Sequence, residues 1–451
     1  MSTALIVLAA GKGTRMKSDL PKVLHPIAQV PMLIHAMRAG AGLEAARTVI
    51  VTGHGSDAVE IVARTEDPDA IIVKQEEQLG TAHAVDQARV ALEGFDGDVV
   101  VLYGDTPFIQ PETLERMIEA RSRHDLVILG FDAADPARYG RLVMQGETLE
   151  RIVEFKDATA RERAITFCNS GLMACRSQLL FQLISEVGNS NASGEYYLTD
   201  VVELARKRGL GVTAIACDES ETLGINSRAE LANADAVFQT RARAELLELG
   251  VTLMAPETVY LAQDTAIGRD TVIEPNVVFG PGVTVESGAH IRAFSHLEGC
   301  HVSRGAVVGP YARLRPGAEL AENTKIGNFV EIKNANLGEG AKVNHLSYVG
   351  DASVGSGSNI GAGTITCNYD GVMKHRTEIG ENVFIGSNTM LVAPVKVGSG
   401  AMTASGSVIT KNVEDNALAM SRAPQENKPG RARKLFDILK ARKEKRARGA
   451  E

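Results

Sequence analysis

The sequence predicts an α/β domain with a mostly parallel, Rossmann-like sheet, followed by a parallel β-helix. Two patterns lead there. From Ala4 to about Asn226, apolar strand-like runs alternate with helical runs. From Leu261 to Glu414, an apolar residue returns every six positions. Strand and helix in turn imply parallel strands with helices on both faces. A period of six belongs to no helix and to no hairpin sheet, but a solenoid of short parallel strands joined by tight turns has it.

The 451 residues suit two or three domains. The expected division is an α/β domain over 1–226, a linker helix over 227–249 and a β-helix with a basic tail over 250–451. Aromatics make up only 4% of the chain, which fits a narrow solenoid filled by Val, Ile and Ala. No apolar run is long enough to span a bilayer, and the N-terminus lacks the basic-then-apolar pattern of a secretion signal. The five cysteines (Cys168, Cys175, Cys217, Cys300, Cys367) have no metal-ligand spacing and read as free thiols of a reducing cytosol. A net charge of −8 argues against broad nucleic-acid binding.

The first strand, Ala4–Leu8, runs into Ala9-Ala-Gly-Lys-Gly-Thr-Arg-Met16. Gly11 and Gly13 let backbone N–H groups approach phosphate oxygens, while Lys12, Arg15 and Lys22 supply charge. The string is neither a dinucleotide fingerprint nor a Walker sequence, and a plain turn is the alternative. Further strands are expected at Thr48–Thr52, Ala70–Lys74 and Asp98–Tyr103, with helices from Asp57 and after Gly80. Ligands of such sheets bind at the carboxyl ends of the strands. Gln75 and Gln78-Leu-Gly80-Thr81 fall there, suited to a base edge. So does Tyr103-Gly104-Asp105, where the carboxylate is either a metal ligand or a solvated strand end. Tyr139-Gly140-Arg141, Glu154-Phe-Lys156, Asn169-Ser-Gly171 and Gly224-Ile-Asn226 are polar sets beside apolar runs.

Leu8-Ala-Ala-Gly-x-Gly-Thr-Arg-Met16 with Pro21-Lys22 resembles the signature of sugar-nucleotide pyrophosphorylases. Over about 225 residues the chain resembles the bacterial UDP-N-acetylglucosamine pyrophosphorylase family. The resemblance implies that Leu8, Ala9, Ala10, Gly11, Arg15 and Lys22 meet UTP, and that Gln75, Gly80 and Thr81 read uracil. It further implies that Tyr103, Gly104, Gly140, Glu154 and Asn169 complete the UDP-N-acetylglucosamine site, and that Asp105 and Asn226 bind Mg²⁺. One departure is Gln29 in Ala28-Gln-Val-Pro31, where a glycine is expected. The implied chemistry is in-line attack by a sugar 1-phosphate on the α-phosphorus of UTP, catalysed by positioning and charge neutralisation.

Ser227-Arg-Ala-Glu230 is a capping box opening a helix of about 20 residues, which Gly250 stops. The solenoid then begins near Val251, with inward positions such as Ile273, Phe279, Val285, Ile291, Val308 and Ile326. Function must come from its decorations. Arg313, Arg315 and Lys333 put positive charge on turns, suited to a sugar phosphate. His345 stands two places after inward Val343, so it should not enter the core; it is either exposed or catalytic. Between Ile365 and Ile379 the period fails, and Thr366–Gly371 should leave the coil as a loop.

This half resembles the hexapeptide-repeat left-handed β-helix of the same bifunctional family, the glucosamine-1-phosphate N-acetyltransferases. The resemblance implies His345 as general base and Arg315, Lys333, Tyr348 and Asn359 as the glucosamine-1-phosphate site. It implies Ala362, Asn368, Tyr369, Ser387, Ser405 and Arg422 along acetyl-CoA, with alanine the expected residue at Ser405. It also implies a homotrimer whose product serves cell-wall and lipopolysaccharide precursors. The tail from Lys428 to Arg448 holds ten basic residues. It reads as a solvated helix, with contact to CoA phosphates or a neighbouring subunit as the alternative. Two rivals keep the same domains: a pyrophosphorylase whose β-helix only assembles or regulates it, and a non-catalytic regulatory subunit.

Overall fold

The computed structural model describes residues 2–137, 139–191 and 193–448. The chain packs as two units: Met1–Glu245 with Leu261–Asp264, and Leu246–Tyr260 with Thr265–Glu451.

The first unit is built on Thr3–Ala9 (β1), whose seven residues are all buried. Arg47–Thr52 (β2), Ile71–Lys74 (β3), Asp98–Tyr103 (β4), Leu126–Asp132 (β5), Phe167–Arg176 (β8) and Val212–Cys217 (β9) complete the main sheet. Between β5 and β8 the hairpin Arg141–Gln145 (β6) and Thr148–Val153 (β7) attaches to β8. The order is β9-β5-β8-β4-β1-β2-β3. Strand β1 is parallel to both β2 and β4. Chain order therefore reverses at the β1/β4 boundary, where open α/β sheets hold ligands beyond the strand ends. Within the seven-strand order β8 departs from the parallel pattern: it is antiparallel to β4 and β5, and its register shifts between Asn169 and Met173. Such a bulge re-aims side chains, and here it carries Asn169.

The helix after Asn226 spans Arg228–Glu248. Ala234, with Leu231, Val237 and Phe238, packs on Ile27, Ala28, Met32, Phe108 and Ile225. Most of the helix therefore belongs to the first unit by its contacts, and the second unit begins at Leu246. At its start Ser227 Oγ accepts from Glu230 N–H, but the Glu230 carboxylate accepts from Asn226 N–H.

Among the described residues of the second unit, the paired solenoid strands all run parallel. Val272 pairs with His290, His290 with Val307, Val307 with Lys325 and Lys325 with Lys342, so three hexads make one coil. The inward residues Ile273, Phe279, Val285, Ile291, Val308 and Ile326 are at most 1% exposed. Apolar burial along that column is the main stabilising term of the coil stack. The excursion begins one coil position later than the failing period suggests: Ile365–Cys367 still forms a strand with Thr366 pointing inward. Tyr369 then bridges to Lys374, closing a short hairpin before the strand Thr377–Ile379. The basic tail is helical over Arg431–Arg448 and fully exposed. No helix among the described residues is long and apolar enough to cross a membrane.

Candidate active sites

In the first unit the glycine-rich turn leaves β1 and folds over Lys22. A Cβ on Gly11 would touch Lys22 Cε and Nζ at 3.9 and 4.0 Å. The Lys22 ammonium is ion-paired with the Asp105 carboxylate and donates a 3.0 Å hydrogen bond to Asn226 Oδ1. Asp105 follows β4, and its carbonyl accepts from Ile225 N–H at 3.0 Å, which brings Asn226 alongside. Both side chains of the pair are largely buried. Arg15 is exposed on the short turn Thr14–Met16.

Gln75 follows β3 and is 3% exposed. Its Nε2 donates to the Gly80 carbonyl at 3.2 Å and lies 2.9 Å from His83 Nδ1. Gly80 adopts φ 118°, and a Cβ there would strike the Tyr196 carbonyl oxygen at 2.5 Å. Only glycine fits both demands. Ala82 N–H and Tyr196 N–H clasp this segment to the irregular run 194–198, and Thr81 Oγ1 accepts from Leu198 N–H.

Around Glu154, a cavity of about 620 Å³ is lined by Thr81, Tyr103, Phe155, Lys156, Asn169 and Tyr197, among others. Gly140 backs it: a Cβ there would meet Glu154 Oε1 at 3.4 Å and Asn169 Cβ at 3.6 Å. Burial, then the charges of Asp157 and Asp200, raise the Glu154 carboxyl above its ordinary value. Burial likewise raises the Tyr103 hydroxyl, with Asp105 and Glu154 adding to it. The cavity walls Tyr197 and Thr199 were not singled out individually in the sequence; they lie in the quoted run Gly194–Asp200.

In the second unit, His345 is exposed at the end of the strand Lys342–His345. Its Nδ1 lies 2.8 Å from Asn328 Oδ1 on the preceding coil. Arg315 is paired with Glu331 at 2.7 Å. Lys333 lies beside Lys374, whose ammonium is held below the usual lysine range by that neighbour. Asp351 lies within reach of both charges. Burial works against its ionisation, but hydrogen bonds from Asn334 and Asn368 and the Lys333 and Lys374 charges hold its carboxyl low. Asn368 is 8% exposed, bonding Asp351 and, at 3.4 Å, the Tyr348 hydroxyl. Tyr369 projects outward, 60% exposed. Asn359 stands beside inward Ile360 on a neighbouring strand.

Ala362, Ser387 and Ser405 stack on successive coils. The Ala362 carbonyl accepts from Asn388 N–H at 2.7 Å, and the Ser387 carbonyl from Gly406 N–H at 2.8 Å. Arg422 closes the column by donating to the Ser405 carbonyl at 3.0 Å. Ser405 thus meets Arg422 through its backbone carbonyl. Sequence reasoning missed Asn328, Asp351 and Lys374. The hairpin carrying Lys374 was legible as an excursion, and Asn328 follows a glycine of the repeat, but neither pairing leaves a mark in local spacing.

Residues 5–168 match the MobA-like NTP transferase domain family, and residues 264–299 and 376–411 match the six-repeat bacterial transferase hexapeptide family. The chain is 80% identical over 443 residues to "Bifunctional protein GlmU" of Ruegeria pomeroyi, covering 98% of both chains. It is 75% identical to the protein of that name from another Ruegeria strain and 66% identical to that of Roseobacter denitrificans, each covering 100% of both chains.

Proposed function

Since the chain belongs to the family of bifunctional GlmU proteins, and is a transferase joining acetyl transfer to uridylyl transfer, we propose that each unit carries one reaction at the residues assembled above. The observation that supports this most is the convergence of Lys22, Asp105 and Asn226 beneath the glycine-rich turn, at the sheet's switch point.

In the first unit the sugar 1-phosphate and UTP lie along β1, β3 and β4. Backbone groups of Leu8–Gly11 and the Lys22 and Arg15 cations meet the triphosphate. Gln75, Gly80 and Thr81 face uracil; Gly140, Glu154, Asn169 and Tyr103 face the amino sugar, with Gly104 leaving room beside Asp105. A phosphate oxygen of the sugar attacks the α-phosphorus, and pyrophosphate leaves. Asp105 Oδ2 and Asn226 Oδ1 already aim at one cation, the Lys22 ammonium, so the donor set fits a hard divalent ion such as Mg²⁺. When bound, Mg²⁺ neutralises phosphate charge. Lys22 contributes its ammonium to the triphosphate oxygens.

In the second unit Arg315, Lys333, Tyr348 and Asn359 hold glucosamine-1-phosphate, with Lys374 adding charge. The amine nitrogen attacks the thioester carbonyl of acetyl-CoA. His345 takes the amine proton, the C–S bond breaks, and CoA leaves as thiolate. Ala362, Asn368, Tyr369, Ser387, Ser405 and Arg422 line the CoA path. The product, N-acetylglucosamine-1-phosphate, is the substrate of the first unit.

The proposal includes a homotrimer in the cytoplasm. A ladder of exposed aromatics supports assembly: Phe294, Tyr311 and Phe329 stack at 4.9 and 5.3 Å on successive coils. Five free cysteines support a reducing compartment. Sedimentation of a fully acetylating monomer would exclude the trimer. The reaction scheme is tested by incubating the protein with glucosamine-1-phosphate, acetyl-CoA, UTP and Mg²⁺ and omitting each in turn. UDP-N-acetylglucosamine should require all four, and N-acetylglucosamine-1-phosphate should still form without UTP.

A further inference from the structure

The strand Lys342–His345 lies parallel on Lys325–Asn328, and Asn328 is the register partner of His345. Both residues end their strands, and each is followed by a left-handed residue, Phe329 at φ 56° and Leu346 at φ 49°. The two corners are therefore copies of one another, one coil apart. They are held unusually close. A Cβ on Gly327 would lie 1.9 Å from the Asn344 carbonyl oxygen, so only glycine permits this spacing. The main chain of the corner is also fixed. Leu346 N–H donates to the Asn328 carbonyl at 3.1 Å, and the His345 carbonyl accepts from Ser347 Oγ at 2.8 Å and from Gly363 N–H at 3.2 Å. A rigid corner thus sets the 2.8 Å contact between Asn328 Oδ1 and His345 Nδ1.

The chemistry of that contact is directional. With the Asn328 amide oxygen facing the ring, as it does here, that oxygen can only accept, and the proton of a neutral imidazole sits on Nδ1. Nε2 then carries the free lone pair, and His345 is exposed to solvent. A general base needs that lone pair in a fixed direction.

We propose that Asn328 is a positioning residue for acetyl transfer: it selects the Nδ1–H tautomer of His345 and aims Nε2 at the attacking amine. This rests on His345 being the base. As the nitrogen–carbon bond forms and the carbon–sulfur pair departs with CoA, the amine proton passes to Nε2. The imidazolium so formed keeps its Nδ1–H bond to Asn328. Because asparagine is neutral, it orients the ring without placing a carboxylate beside a site that must also bind a phosphate and CoA.

The test compares the full-length parent with Asn328→Ala, Asn328→Asp and His345→Ala. The half-reactions are assayed separately, and ¹⁵N NMR reads the imidazole tautomer. In the parent, neutral His345 should carry its proton on Nδ1. In Asn328→Ala, Nε2–H should become the major form. Acetyl-transfer kcat should fall about tenfold, the rate equivalent of one hydrogen bond. KM for glucosamine-1-phosphate and the uridylyl rate should hold. Asn328→Asp also accepts from Nδ1–H and should restore both tautomer and most of kcat; a purely structural loss would not be rescued in this way. An unchanged tautomer in Asn328→Ala, parental kcat, or failure of the folded Asp variant to restore it would overturn the positioning role. Parental acetyl transfer in His345→Ala would instead remove the base itself.

Discussion

The Lys22 ammonium, at the start of the short helical turn Lys22–Leu24, is ion-paired with the Asp105 carboxylate beyond the end of β4 in the first unit. Asn226 adds a third partner from the far end of the same unit. A lysine in this position serves two ends. It satisfies a largely buried carboxylate that would otherwise be unpaired, and it keeps a cation ready for phosphate. Lys22→Met should therefore lower kcat/KM for uridylyl transfer by about 10² and leave acetyl transfer at the parental rate. Parallel assays of the two half-reactions check it; equal losses in both would point to misfolding.

Glu154 carries a pH signature. Burial, Asp157 and Asp200 raise its carboxyl in the folded chain, so the folded state binds the proton more tightly than the unfolded one. Stability from this group is fully present below the unfolded value of about 4.3 and is lost as pH rises through the raised value. Glu154→Gln should thus melt higher than the parent at neutral pH, with the difference closing below about pH 4. It should also bind UDP-N-acetylglucosamine more weakly, because an amide replaces a carboxylate in the cavity. Melting curves across pH that keep a constant difference would contradict the first half.

Gln29 takes φ 69° and its neighbour Ala28 φ 48°, in the turn between the short strands Pro26–Ile27 and Val30–Pro31. Two left-handed residues in a two-residue hairpin turn favour glycine. The left-handed backbone costs a side-chain-bearing residue about 1–2 kcal/mol. Gln29→Gly should stabilise the first unit by up to about 1 kcal/mol, the entropy of the unfolded glycine offsetting part of the gain. Denaturant unfolding with an unchanged or lower midpoint would show that the side chain makes up the difference.

Gly327→Ala should destabilise the second unit by about 3 kcal/mol, since backbone atoms meet the new methyl. Acetyl transfer should fall further than stability alone explains, because the Asn328–His345 contact depends on that spacing. Calorimetry and acetyl-transfer rates at a temperature well below melting separate the two effects.

Period and alternation were legible because each inward position meets its own kind one coil or one strand away. Ile273, Ile291 and Val308 show this in the solenoid, and buried β1 shows it in the sheet. The direction of β8 was not legible: an apolar run is buried equally well in either direction, and only its connections decide. The helix Arg228–Glu248, rich in Ala, Leu, Glu and Arg, read as a connector of the two domains, yet a few of its apolar side chains suffice to seat it on the first unit. The pairs Lys22–Asp105, Asn328–His345 and Lys333–Lys374 join residues 17 or more positions apart. Local spacing carries no trace of such pairs, although their members were mostly visible as polar residues on turns.

The separation of the two chemistries is tested most directly by measuring both half-reactions in Asp105→Asn and His345→Ala. Asp105→Asn should lose uridylyl transfer under limiting Mg²⁺ and acetylate glucosamine-1-phosphate at the parental rate. His345→Ala should show the reverse, with acetyl-transfer kcat down by about 10²–10⁴ and little change in substrate affinity. If either variant kept the reaction assigned to its residue, or if one substitution abolished both, the assignment of one reaction to each unit would be wrong.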